Sequence, residues 1–86
     1  MSDVASTISE RGKRYGEYSR QAMTVQAIKS AIQSAPSWSK ATAGQREALD
    51  NIATKIGRIV NGDPHHADSW HDIAGYAQLA ERECDS

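Results

Sequence analysis

Downstream of Thr42, apolar residues recur every three or four positions. Leu49, Ile52, Ala53, Ile56, Ile59 and Val60 fall within about 120° of arc at 100° per residue, which predicts an amphipathic helix. The opposite arc carries Glu47, Asp50, Asn51, Thr54, Lys55 and Arg58. Thr42 and Gln45 have the spacing of a capping box, in which each side chain satisfies a backbone N–H near the other. Asn61-Gly62 predicts a left-handed helix stop. Asp63-Pro64 then predicts a new start, Asp63 capping and Pro64 in the first turn, where its missing N–H costs nothing. A fourth helix is expected from Pro64 to about Glu83, with Ala67, Trp70, Ile73, Ala74, Ala77 and Ala80 as its apolar face. A stop and a start this close together imply an antiparallel hairpin over about residues 42–83. Its seam should bury Leu49, Ile52, Ile56, Ile59, Trp70, Ile73 and Ala77.

Upstream the pattern is weaker. Residues 3 to about 14 carry a short apolar stripe of Val4, Ala5 and Ile8, and Tyr15-Gly16 reads as a turn because glycine accepts unusual φ cheaply. From about Ser19 to Ser34, Ala22, Val25, Ile28, Ala31, Ile32 and Ala35 repeat at helical spacing until Pro36 removes a needed donor. A polar connector, Ser37 to Ala41, carries Trp38, which is expected to fold back on the core. The fold expected is all-α: one domain, 1–86, as a small bundle of about four helices.

Size changes the picture. At 86 residues with five aromatics and no Phe, the core is thin, and self-association is the natural way to bury more apolar area, so a homo-oligomer is expected. A formal net charge of −1 argues against non-specific nucleic-acid binding, which rests on many Lys/Arg–phosphate contacts. The single cysteine, Cys84, leaves no internal disulfide and suggests a reducing cytoplasm. No run of about 18 apolar residues or apolar leader is visible, so neither a membrane span nor a secretory signal is expected.

Candidate chemistry gathers on the hairpin. Asp68 and Asp72, four residues apart, project from one side of their helix, and with Glu47 and Asp50 they offer oxygen ligands of the kind Mg²⁺ prefers. Lys55 and Arg58 lie on the polar arc where phosphates would meet them; the plainer reading is ion pairing with Asp68 and Asp72 across the hairpin. His65, His66 and His71 do not share one face, and no cysteine lies near, so zinc is disfavoured. Arg11, Arg14 and Tyr15 form a basic-aromatic cluster able to stack on a base and grip a phosphate, or simply to place cations at a helix end.

The stretch from Glu47 through Asn61-Gly62-Asp63-Pro64 to Tyr76, together with Arg11 to Gly16, resembles a family of small bacteriophage proteins. A looser likeness is to the all-α nucleoside triphosphate pyrophosphohydrolases of the MazG type, whose last core helix carries an acidic residue, then Asp, then Tyr a turn later. Asp72 and Tyr76 fit that spacing, but the partner position three before Asp72 is Ser69, and Gln21 to Gln33 holds no carboxylate where those enzymes carry a dense glutamate pattern. The resemblance implies a phage accessory protein binding a nucleotide or nucleotide-derived ligand with Mg²⁺, its pyrophosphohydrolase activity weakened or lost. Lys55, Arg58, Tyr76, Arg11, Arg14 and Tyr15 would contact the ligand, and Asp68 and Asp72 the metal. The alternative is a non-enzymatic protein that binds a host protein or sequesters a nucleotide defence signal.

Overall fold

The structure, a computed structural model, describes residues 4–84, with side chains from residue 16 onward. It is all-helical: α1 (Val4–Gln33), a 3-10 turn (Pro36–Lys40), α2 (Ala43–Asn61) and α3 (Ala67–Glu81). The two upstream helices expected from the sequence are one, because α1 runs through Gly12, Tyr15 and Gly16 without a break. A glycine inside a helix costs only about 1 kcal/mol against alanine, and good helix formers (Glu10, Arg11, Lys13, Arg14, Glu17) surround both glycines. The Arg11, Arg14 and Tyr15 side chains lie outside the described residues.

The start of α2 is as its spacing predicts. Thr42 Oγ1 accepts from Gln45 N at 3.0 Å, and Gln45 Oε1 accepts from Thr42 N at 3.0 Å, closing the capping box. Ahead of it, Trp38 is half-buried under Arg46, whose guanidinium stands 5.8 Å from the ring centre and donates to the carbonyls of Trp38 and Ser39. The far end differs from expectation. Gly62 closes α2 with φ −138°, not in the left-handed region, and a Cβ there would stand 2.8 Å from the Arg58 carbonyl oxygen. Asp63 does not cap α3. Its Oδ1 accepts from His65 N two residues on, at 2.9 Å, so Asp63-Pro64-His65 is a side-chain-closed turn and α3 starts only at Ala67. Trp70 Nε1 donates to the Pro64 carbonyl at 2.8 Å and holds the turn against α3.

The three helices are arranged side by side. α2 packs against α1 and, more extensively, against α3, whereas α1 and α3 share no comparable interface among the described residues. The radius of gyration, 16.8 Å, exceeds the ~12 Å of a compact chain this long. On one flank α2 meets α1 through Gly57, packed directly on Val25 and the Gln21 backbone, and through Asn61, which donates to Thr24 Oγ1 at 3.0 Å. On the other flank Lys55 pairs with Asp72, and Gly44 lies under the Glu83 carboxylate, so one antiparallel register holds the whole hairpin. Glu83 also accepts a hydrogen bond from the Thr42 hydroxyl, placing a negative charge at the positive end of the α2 dipole.

This arrangement overturns most of the expected seam, of which Ile59 alone is buried. Among the described residues the buried apolar side chains are Val25, Ala48, Ala53 and Ile59, with Ser69 also buried. Leu49 and Trp70 are 37% and 55% exposed, Ala77 is exposed, and Ile52, Ile56 and Ile73 are only half-buried. Both neighbours sit on the shoulders of α2, using positions the sequence pattern assigns to its polar arc (Thr54, Lys55), and leave much of its apolar ridge uncovered. Gly57 is what lets α1 approach. Gly57→Ala should drive a methyl into Val25 and lower stability by about 1–3 kcal/mol despite the gain in helix propensity, a loss readable in a urea melt.

Candidate functional site

The antiparallel register decides which charges meet. Lys55 and Asp72 form an ion pair, Nζ to Oδ2 at 2.8 Å, with side-chain exposures of 18% and 43%. The hydrogen bond from Lys55 is the main cause holding the Asp72 carboxyl below its ordinary range. Partial burial opposes it, and the charges of Lys55, His71 and Arg58 add to it. Asp72 is thus one carboxylate beside three basic side chains. Arg58 is exposed, with no hydrogen bond or ion pair from its side chain among the described residues.

A depressed carboxylate pKa means that the pair is intact at neutral pH and is lost as pH falls through the folded-state value. The Asp72 carboxyl should therefore titrate below the ordinary aspartate range in an NMR pH series. Lys55→Met should raise its midpoint toward that range, and an unmoved midpoint would show that Lys55 does not hold it.

Beside the pair runs a shallow groove of about 370 Å³ along α3, lined by His71, Asp72, Gly75, Tyr76, Gln78 and Leu79. Tyr76 is half-buried and also borders a second, mostly apolar groove of about 420 Å³ between the start of α2 and the end of α3, floored by Ala48 and Leu79 and edged by Asn51 and Arg82. The structure thus brings together Lys55, Asp72 and Tyr76 from the sequence-derived set, with Arg58 close enough for its charge to act on Asp72.

Asp68 is not part of this group. It is exposed in the first turn of α3, and among the described residues no three His, Cys, Asp or Glu side chains converge. Asp50 and Glu47 stand apart too: Glu47 accepts from Asn51 at 3.4 Å, and Asp50 Oδ1 is buried without a partner. Ser69, three before Asp72, is buried, its hydroxyl 3.3 Å from His66 Nδ1. His71 is the member sequence reasoning missed. Its spacing from His65 and His66 addresses only a metal, whereas its position next to Asp72 is the usable signal.

The α2–α3 hairpin packed beside α1 defines the class of the protein as a small all-helical domain. The chain matches a family model, the domain of unknown function DUF6378, over residues 1–83, and it belongs to that family. No curated protein and no solved structure matches it.

Proposed function

We propose that the α2–α3 hairpin binds an anionic ligand of the nucleotide class on its polar side. The observation that carries the reading is the surplus of bases around Asp72. Lys55 engages the carboxylate directly, which leaves Arg58 and His71 to meet phosphate oxygens. Tyr76 and the grooves it borders offer an aromatic and apolar surface to a base within reach of that charge. Binding is favoured over turnover, since Asp72 is already neutralised by Lys55 and Asp68 points elsewhere. A Mg²⁺ bridging the phosphates would have Asp72 as its available protein ligand, at the expense of the Lys55 pair. The Asp72 and Tyr76 spacing, which resembles that of MazG-type enzymes, is the reason for choosing a nucleotide over other anions.

The test is a thermal-shift and calorimetric panel of nucleoside mono-, di- and triphosphates with and without Mg²⁺. A ligand at 100 times its Kd adds about 2.7 kcal/mol of stability, a displacement of the melting curve by several degrees. A flat response across the panel would sink the proposal and turn attention to a host protein as partner.

A further inference from the structure

The second groove beside Tyr76 carries chemistry that the Lys55–Asp72 pair does not use. The first groove is lined by α3 alone, whereas the second is walled by both helices, with Ala48 of α2 and Leu79 of α3 as its apolar floor. A flat ring laid there meets apolar side chains from two helices. At the groove's edge stands Glu47, which is exposed. Asn51 Nδ2 donates to its Oε2 at 3.4 Å, and no other hydrogen bond or ion pair reaches its carboxylate among the described residues. The other carboxylate of the groove, Glu83, is engaged by the Thr42 hydroxyl. Glu47 is thus an acceptor with lone pairs to spare.

Glu47 is also in line with the guanidinium of Arg58. At 100° per residue, Glu47, Asn51 and Arg58 fall within about 40° of arc, on the side of α2 between the α1 flank (Gly57, Asn61) and the α3 flank (Gly44, Lys55). Arg58 stands eleven residues beyond Glu47, about 16 Å of helix axis. That span matches an extended nucleoside di- or triphosphate. Charge sorts its two ends: Glu47 and Glu83 outnumber Arg82 at the groove, and Lys55 and Arg58 outnumber Asp72 at the other end. Phosphates are drawn to Arg58, and the neutral base is left to the groove.

Resting on the nucleotide reading of the polar side, we infer that this groove is the base subsite and that Glu47 selects guanine. A carboxylate is an acceptor only, and it pairs best with two adjacent N–H donors. Guanine presents such a pair, N1–H and the N2 amino group. Adenine turns a lone pair at N1 toward the same place, cytosine does so at N3, and uracil offers a single N–H between two carbonyls. Glu47 therefore attracts one base edge and repels the others. Asn51 holds the carboxylate at the groove's edge, so the acceptors are set before the base arrives.

Calorimetric titration of the full chain with guanosine, inosine and adenosine diphosphates tests this. Guanosine diphosphate should bind about 10- to 100-fold more tightly than adenosine diphosphate, with inosine diphosphate, which lacks the N2 amino group, between them. Glu47→Gln should erase the preference by weakening guanosine diphosphate and sparing adenosine diphosphate, because a glutamine amide both donates and accepts. The free variant should melt with the wild type, since the side chain is exposed. Arg58→Glu should weaken all three ligands alike. Equal affinity for the guanosine and adenosine ligands, or a preference that survives Glu47→Gln, overturns the base subsite and leaves the nucleotide reading standing. Binding of none of the three overturns both.

Discussion

Ile59→Ala should lower the unfolding free energy by about 2–5 kcal/mol, one of the largest single-site losses available to this chain. Ile59 is 6% exposed and is the bulkiest of the four buried apolar side chains among the described residues; two of the others are alanines. Removing it leaves a cavity that backbone collapse fills only in part. Small domains hold about 0.05–0.15 kcal/mol of stability per residue, roughly 4–13 kcal/mol for a chain of 86 residues, so the loss is a large fraction of the whole and should lower the melting temperature by roughly 10 °C or more. The control lies one turn away. Ile56 is half-buried, so Ile56→Ala should cost distinctly less than Ile59→Ala. Urea melts of both variants read the two numbers together, and equal losses would refute the assigned core.

The hairpin was the most legible part of the sequence because its signals are local and agree with one another. The Thr42/Gln45 box fixes the start of α2, and the helix ends at Asn61-Gly62 as expected, although Gly62 is not left-handed. The turn beyond was misread for an equally local reason. An aspartate before proline can serve as a helix cap or close a turn two residues on, and here the hydrogen bond to His65 N takes the second course. That choice shifts the start of α3 by three residues. Of the ion pairs the sequence offers across the hairpin, Lys55 or Arg58 with Asp68 or Asp72, the structure forms Lys55 with Asp72 and leaves Asp68 exposed and apart. Glycine misled in the other direction: Gly12 and Gly16 weaken a helix without ending it.

Which side of α2 faces its neighbours was legible only in part: Ala53 and Ile59, at the two edges of the apolar arc, are buried as expected, whereas Leu49, Ile52, Ile56 and Val60 between them are not. Periodicity identifies the apolar stripe, and a stripe ordinarily marks the packed side. In this chain Gly57 and Gly44 permit close approach on the two shoulders, and polar links (Asn61 to Thr24, Lys55 to Asp72) hold the flanking helices there. Small residues at close contacts leave no signature in a hydrophobicity pattern. The candidate site follows from the same displacement, since the polar arc becomes a flank where charges from two helices meet. His71 and the Tyr76 grooves join Lys55 and Asp72 only through that packing.

Charge reversal at Arg58 should have the largest effect on ligand binding. The side chain is exposed and unpaired among the described residues, so Arg58→Glu removes a phosphate donor without breaking an internal contact. A hydrogen bond to a charged group is worth about 1.5–3 kcal/mol, so its loss alone should weaken nucleotide binding by about 10- to 100-fold, with repulsion between the new carboxylate and the phosphates adding to it. Helicity and molecular mass should not change. Lys55→Met provides the contrast, because it disturbs the Asp72 pair and so alters the acid limb of stability as well as affinity. If these charges serve only to pair across the hairpin, the pattern inverts: Lys55→Met and Asp72→Asn lower the melting temperature equally, and Arg58→Glu changes nothing in a calorimetric titration with any nucleotide. A binding loss confined to Arg58→Glu at constant fold identifies the exposed guanidinium as a ligand contact, and comparison of mono-, di- and triphosphates then shows which phosphate it meets.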